Sequence, residues 1–186
     1  MKNFIETYDN TLTKKECEYI TDYMNTDNKL EPGTVASGIK PHLKDSWDYT
    51  LNFDDTDTKV NRIILESLCD CLDLYVNKHP QLKQIPKWRY HPFYNLQKYN
   101  PNQAYHSLHC ENTGYTSEVK RVMAWMFYLN TVTDGGGTYF DNYDLTIDAV
   151  EGRGVLWPAY WTHMHKGIVS KTETKYIATG WISFTR

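Results

Sequence analysis

The sequence contains no run of apolar residues that approaches the length of a membrane span, for which about 20 are needed. The chain begins without the apolar stretch of a signal peptide, and its four cysteines include no CxxC pair. We find no internal repeat and no low-complexity segment. These absences predict a soluble protein in a reducing, cytoplasmic setting, with no membrane partner.

An excess of positive charge is also missing. Lysine and arginine number 20 against 23 acidic residues, so the formal net charge is −3. This balance lacks the basic field that drives non-specific nucleic-acid binding. We therefore do not expect nucleic acid as a partner, which leaves a peptide or small-molecule substrate open.

Apolar side chains are plentiful, at 40% of the residues, and 15% are aromatic. That volume is sufficient for the interior of a barrel or sandwich. The 186 residues suit a single domain. We predict that residues 1–87 form a helical support and cover, and that 88–186 form the core.

In the first half of the chain, apolar residues recur with helical spacing, and in one segment they alternate with polar residues as in a strand. Thr13 and Glu16 have the spacing of a capping box, and His79-Pro80 would end a second helix. The predicted elements are a helix from Thr13 that ends between Asn25 and Asn28, a loop over 29–45, a strand over 47–53 and a helix over 58–77.

In the second half, apolar and polar residues alternate within runs that are separated by turn residues, as in β-strands. Strands without intervening helices predict a sandwich or jelly roll, with the two helices covering its outer face. The predicted strands are Arg89–Tyr99, Tyr105–Glu111, Arg121–Asn130, Gly137–Phe140, Gly154–Trp157, His163–Val169 and Lys175–Phe184.

His109 and Glu111 stand two positions apart, and residues i and i+2 of a strand point to the same face. With a second histidine they would form the 2-His-1-carboxylate triad that binds non-haem Fe(II). His106 has the opposite strand parity. His163 and His165 have the same parity, so parity does not decide which of them is the third ligand.

Lys175 begins a strand in which Ile177, Thr179 and Trp181 share its face. Its long stem could therefore be buried, with the ammonium meeting the far carboxylate of a dicarboxylic co-substrate. A lysine at a strand end is otherwise usually solvated.

The span from about Leu96 to the C-terminus resembles the Fe(II)/2-oxoglutarate-dependent dioxygenases, most closely their prolyl 4-hydroxylase-like branch. Four pieces carry the resemblance in the family's order: Tyr99 to Tyr105 followed by His109-Cys-Glu111, Arg121–Asn130 followed by Gly135-Gly-Gly-Thr138-Tyr-Phe140, Gly152–Trp157, and His165-Lys-Gly through Lys175-Tyr. The resemblance implies a double-stranded β-helix, that is, a cupin-like jelly roll.

The resemblance also implies roles for individual residues. The distal metal ligand precedes the basic residue by ten positions, which favours His165, because Glu173 stands ten positions after His163 and would repel the co-substrate. The implied metal ligands are His109, Glu111 and His165. Tyr99, Tyr128, Thr138 and Lys175 are the implied 2-oxoglutarate-binding residues.

Three features depart from the family's usual pattern. The carboxylate ligand is Glu111 rather than aspartate, Asn102 replaces a glycine, and one extra residue separates Tyr105 from His109. Asparagine tolerates the left-handed conformation that glycine would supply, and a strand shift or bulge could absorb the extra residue.

The activity that the resemblance implies is hydroxylation of a peptidyl proline, or of another C–H substrate, with release of succinate and CO2. It would use Fe(II), 2-oxoglutarate and O2, with ascorbate as a further reductant. Two kinds of alternative stay open at this stage: a jelly roll that binds a metal or another ligand without catalysis, and a nucleic-acid demethylase with the same chemistry.

Overall fold

The computed structural model describes residues 2–26, 29–55, 58–116 and 118–185. The strands and helices in this part of the chain are, in order, β1 (Glu6–Tyr8), α1 (Lys14–Thr26), β2 (Glu31–Pro32), β3 (Trp47–Asn52), α2 (Lys59–Lys78), β4 (Trp88–Tyr99), β5 (Arg121–Tyr128), β6 (Thr138–Phe140), β7 (Leu145–Ile147), β8 (Gly154–Pro158), β9 (His165–Gly167) and β10 (Lys175–Phe184).

The strands form two antiparallel sheets. The larger has the order β1-β8-β5-β10-β4-β3-β2, and the smaller has the order β7-β6-β9. An apolar cluster that includes Tyr128, Phe140 and Trp157 joins residues of the two sheets. The fold is the predicted double-stranded β-helix, mainly β with N-terminal helices.

Both helices pack on the outer face of the larger sheet, as predicted. Ile20 of α1 and Leu68 of α2 belong to the same buried cluster as Trp125 of β5. The predicted capping box opens α1: the Thr13 amide donates to Glu16 Oε2 at 2.8 Å, and the Glu16 amide donates to Thr13 Oγ1 at 3.3 Å. The helix ends at Thr26, and part of its predicted end range, residues 27 and 28, lies outside the described residues.

Strand β5 is apolar on both faces because it is covered on both sides. Trp125 and Phe127 pack with the helices, whereas Met126 and Tyr128 belong to the cluster between the sheets. All of its residues except Arg121 are buried.

The prediction of a strand over Tyr105–Glu111 was wrong. Only two isolated bridges form there, Lys44 with Tyr105 and His109 with His165. The His106 and Ser107 amides both donate to the Leu43 carbonyl, so the chain turns against the loop over 29–45 and does not continue a ladder. The extra residue before His109 therefore lies in a turn and not in a strand bulge.

The strand predicted over His163–Val169 is shorter in the structure. His163 ends a 3-10 turn over Trp161–His163, and β9 begins only at His165. The two histidines therefore do not share a strand face, contrary to the prediction. Strand β7 was not predicted, because its three residues are too few for a period to be recognised.

Candidate metal centre

A cavity of about 970 Å³ is lined by residues of both sheets and of the loop over 29–45. Strand β10 contributes Lys175, Ile177, Thr179 and Trp181, which share one face as the strand parity predicted. Among the residues assigned to the site from the sequence, the cavity is lined by Tyr99, His109, Glu111, Thr138, His165 and Lys175.

The imidazoles of His109 and His165 and the carboxylate of Glu111 converge on one point of this cavity. Glu111 Oε1 lies 3.6 Å from His109 Nε2 and 3.4 Å from His165 Nε2, and a set of donor atoms from the three residues lies within 4.8 Å of one another. Ligand atoms about 2.1 Å from one ion stand about 3 Å apart at neighbouring octahedral positions. The group is therefore close to the geometry that a bound metal ion requires.

Backbone carbonyls determine which nitrogen of each ring faces the cluster. His109 Nδ1 lies 3.0 Å from the Ser107 carbonyl, and His165 Nδ1 lies 2.9 Å from the His163 carbonyl. Because a carbonyl oxygen only accepts, Nδ1 carries the proton in each neutral ring. Nε2 then presents a lone pair, which is the state that a metal needs.

The pKa values of His109 and Glu111 favour the protonation states in which these groups bind a metal ion. Burial lowers the pKa of His109 below its ordinary value, and the neighbouring His165 lowers it further. Burial alone would raise the pKa of Glu111, but the two imidazoles, when they carry a second proton on Nε2, outweigh it and hold that pKa well below its usual range. A neutral imidazole and a carboxylate anion are what a divalent cation prefers.

His163, the alternative third ligand, lies outside the cluster. Its Nε2 is 2.7 Å from the Asn3 carbonyl and its Nδ1 is 2.9 Å from Thr162 Oγ1. Its ring packs against Tyr143 instead of facing Glu111. The geometry thus leaves His165 as the histidine that faces His109.

Four backbone hydrogen bonds position the three donor residues. The amides of Glu111 and Asn112 both donate to the Ala159 carbonyl, and the His109 and His165 backbones exchange a pair of hydrogen bonds at 2.9 and 3.0 Å. The Tyr105 ring stacks on the His109 ring with 3.5 Å between centroids. The three donors are thereby held by main-chain contacts between segments that are far apart in the sequence.

Lys175 is buried on the same cavity, with 4% of its surface exposed. Its ammonium lies over the Tyr99 ring, 4.6 Å from the centroid. Burial lowers the pKa of Lys175 to about 8, and no carboxylate in the described part of the chain lies within ion-pair distance of it. A buried cation of this kind favours an anionic ligand.

Of the other predicted co-substrate residues, Tyr99 and Thr138 line the same cavity. Tyr99 donates its hydroxyl to Gln97 Oε1 at 2.8 Å, and Thr138 Oγ1 is 2.7 Å from the Tyr128 hydroxyl. Tyr128 is fully buried and is not among the residues that line the cavity. Its hydroxyl contacts that of Thr138, which does line the cavity.

Asn102 has the left-handed backbone predicted for the position where a glycine is usual, with φ of 71°. Its amide donates to the Ser170 carbonyl at 2.7 Å, which ties the turn after β4 to the segment before β10. Asparagine therefore adopts here the backbone conformation that a glycine would supply.

Sequence reasoning missed the neighbours of Glu111. The Trp181 indole and the Arg121 guanidinium both contact this residue. Strand parity placed Trp181 on the cavity face, but no local pattern relates it to a residue 70 positions earlier.

Residues 94–183 match the sequence model of the 2OG-Fe(II) oxygenase superfamily. This matched region belongs to that superfamily. This region is thus that of a 2-oxoglutarate- and Fe(II)-dependent dioxygenase, and its family implies Fe(II), 2-oxoglutarate and O2. No curated protein matches the chain significantly.

Solved structures similar to this dioxygenase include prolyl hydroxylases. A viral collagen prolyl hydroxylase from Paramecium Bursaria Chlorella virus-1 superimposes with a TM-score of 0.71 at 19% identity, over 98% of this chain and 97% of that one. A Pseudomonas putida prolyl-4-hydroxylase gives 0.74 at 14% identity, over 98% and 94%. A Trichoplax adhaerens prolyl hydroxylase, in complex with a hypoxia inducible factor oxygen degradation domain peptide fragment, gives 0.76 at 16% identity, over 98% and 84%. At these identities the likeness establishes the fold.

No helix in the described ranges is long and apolar enough to cross a membrane.

Proposed function

We propose that this chain hydroxylates a C–H bond of a peptide, with a peptidyl proline as the first candidate, and that His109, Glu111 and His165 hold its Fe(II). The observation that carries the proposal is the sharing of one cavity by these three donors and by the buried Lys175, which has no carboxylate partner in the described ranges. Three protein ligands on one face of an octahedral ion leave positions open for ligands that react.

Lys175 is the anchor for the co-substrate in this proposal. Its ammonium would pair with the far carboxylate of 2-oxoglutarate, while the near end chelates the metal. Tyr99, whose ring lies against the ammonium, and Thr138 also line the cavity and would offer hydroxyl groups to the same carboxylate. The protein's contribution is to hold the co-substrate at a fixed depth and orientation.

Bound Fe(II) supplies the oxygenation chemistry: 2-oxoglutarate, O2 and R–H are converted to succinate, CO2 and R–OH. One oxygen atom enters succinate and the other enters the product, so the reaction balances without an external reductant. Ascorbate would be needed only to restore oxidised iron.

The size of the cavity and the composition of one wall support a peptide substrate. This wall includes the short edge strand β2 and the following loop, with Pro32, Thr34 and Ser37 among the lining residues. The cavity is large enough to hold 2-oxoglutarate with space beside it. The similar Trichoplax enzyme was solved with a peptide fragment.

We further propose that residues 1–186 act as one dioxygenase domain, because α1 and α2 pack directly on the sheet that carries β10. Cytoplasmic localisation stays a prediction. It is compatible with the four cysteines, all of which lie in the described ranges and are unpaired.

The proposal is tested by succinate release in air from the Fe(II)-loaded enzyme with 2-oxoglutarate. A set of proline-containing peptides should stimulate release and gain the mass of one oxygen atom, whereas matched peptides with alanine for proline should not. Stimulation by another peptide or by small molecules would overturn the proline assignment only. Complete absence of succinate formation would overturn the dioxygenase function itself.

The affinity for 2-oxoglutarate should depend on pH through Lys175. In the free enzyme the pKa of Lys175 is about 8, and an anionic partner would raise that pKa. Binding of 2-oxoglutarate above pH 8 must therefore be accompanied by uptake of a proton on Lys175. The dissociation constant should be flat below pH 8 and rise by up to about tenfold per pH unit above it. Calorimetric titration of the Mn(II)-loaded enzyme measures this profile.

Arginine at the same position provides the matched control, because a guanidinium does not deprotonate in this range. Lys175→Arg should flatten the profile above pH 8 even if its affinity is lower. An unchanged pH profile in this variant would assign the dependence to another group.

A further inference from the structure

The two oxygens of the Glu111 carboxylate have different surroundings. Oε1 faces the imidazoles of His109 and His165, whereas Oε2 accepts a hydrogen bond from the Trp181 indole N–H at 2.5 Å. The carboxylate is therefore already divided into a metal-facing oxygen and an oxygen held by the protein. Such outer contacts orient metal ligands.

Arg121 supports this arrangement from the other side of the indole. Its guanidinium lies over the Trp181 ring, 3.8 Å from the centroid, and its Nη1 donates to the Glu111 carbonyl at 2.9 Å. The same nitrogen is 3.8 Å from Glu111 Oε2 and 3.6 Å from Glu118 Oε1. Arg121 thus contacts the backbone of Glu111 and the face of the ring that holds its side chain.

Glutamate needs such support more than aspartate does, because its extra methylene adds a rotatable bond. An unsupported glutamate carboxylate could rotate to offer both oxygens to the ion or swing away from it. Either change would alter the number of positions left open for co-substrate and O2. A donor fixed to Oε2 restricts the carboxylate to one oxygen.

We propose that Trp181, backed by Arg121, is a positioning residue that presents only Oε1 of Glu111 to the metal and adapts this site to glutamate. The proposal deepens the proposed metal centre and rests on it. Trp181 acts through Glu111 and is not itself a ligand.

The first test compares two tryptophan-to-phenylalanine variants in Co(II) titrations of the otherwise metal-free protein, read by calorimetry and by the Co(II) d–d absorption bands. Trp181→Phe removes the N–H and keeps a ring beneath Arg121. It should weaken Co(II) binding by roughly 10- to 100-fold and shift the bands.

Trp157→Phe is the matched control. Trp157 also lines the cavity, its ring centroid is 5.1 Å from that of His165, and its buried Nε1 has no hydrogen-bond partner in the described part of the chain. Trp157→Phe removes no hydrogen bond, so its loss of Co(II) affinity should be smaller than that of Trp181→Phe. Equal losses in the two variants would overturn the proposal.

The second test is a double-mutant cycle with Glu111→Asp. The shorter aspartate cannot place one oxygen on the metal and the other on the indole, so Trp181→Phe should cost less than about threefold when it is added to the Glu111→Asp variant. An equal cost in both backgrounds would mean that Trp181 does not act through the glutamate, and would overturn the proposal.

The melting temperature of the metal-free protein shows whether each variant is folded. A third variant tests the stacking of Arg121 on the indole. Arg121→Lys keeps the charge but loses the flat stacking on the indole, so it should also shift the Co(II) bands. Wild-type affinity and bands in folded Trp181→Phe would overturn the positioning role of Trp181, and wild-type bands in Arg121→Lys would overturn the contribution of Arg121.

Failure of the metal centre itself has a separate signature. Wild-type Co(II) affinity in Glu111→Ala would refute the centre. A loss in Glu111→Ala together with wild-type behaviour of folded Trp181→Phe would refute only the role of Trp181.

Discussion

Replacing Glu111 with alanine is expected to abolish the charge-transfer absorption that Fe(II) and 2-oxoglutarate give together under anaerobic conditions. The substitution removes one of three donors and the only carboxylate of the group. Loss of an outer contact typically costs about 10- to 100-fold in metal affinity, so loss of a ligand should cost on the order of 100-fold or more. Anaerobic titration followed by absorption spectroscopy measures the effect.

Glu118→Ala is the matched control. Glu118 also lines the cavity and lies 3.6 Å from Arg121, but it does not belong to the group of metal donors. Its replacement should leave the absorption band in place. An undiminished band in Glu111→Ala would refute the proposed ligand set.

Replacing Lys175 with methionine should weaken 2-oxoglutarate binding by about 30-fold or more while iron affinity stays near that of the wild type. Methionine fills most of the space of the lysine stem but leaves the co-substrate's far carboxylate buried without a cation. Removing one member of a buried charge pair costs about 2–5 kcal/mol. Separate titrations of metal and of 2-oxoglutarate distinguish the two affinities.

The melting temperature separates this effect from misfolding. Without 2-oxoglutarate, Lys175 is a buried ammonium without a carboxylate partner among the described residues, so Lys175→Met should melt no lower than the wild type. Lys98→Met provides a control on the neighbouring strand β4, where the lysine bonds Asn25 instead of lining the cavity. Equal losses of metal and 2-oxoglutarate affinity in Lys175→Met would contradict the assigned role.

Much of the fold could be predicted from local patterns. The capping box at Thr13 and the apolar stripes of α1 and α2 predicted both helices, and residues apolar on both faces predicted β5 as a covered strand. These predictions succeeded because each depends on residues within a few positions of one another, where side-chain periodicity reflects burial directly.

Other predictions failed where a segment's partner lies far along the chain. The segment over 105–111 has the alternation of a strand, yet its amides bond to Leu43 and Ala159 and it enters no regular ladder. His163 has the same parity as His165, yet it ends a 3-10 turn and bonds the Asn3 carbonyl. Periodicity does not reveal which carbonyl a backbone amide will meet.

The sequence by itself determined which chemistry this chain carries: a histidine and a carboxylate two positions apart, a distant histidine, and a lysine ten positions beyond it. The tertiary structure decided how these groups are used. It faces His165 rather than His163 toward His109, buries Lys175 away from the carboxylates of the described ranges, and brings the Trp181 indole to Glu111 from 70 positions away. Those outcomes depend on packing between strands that are distant in sequence, and no local spacing specifies such contacts.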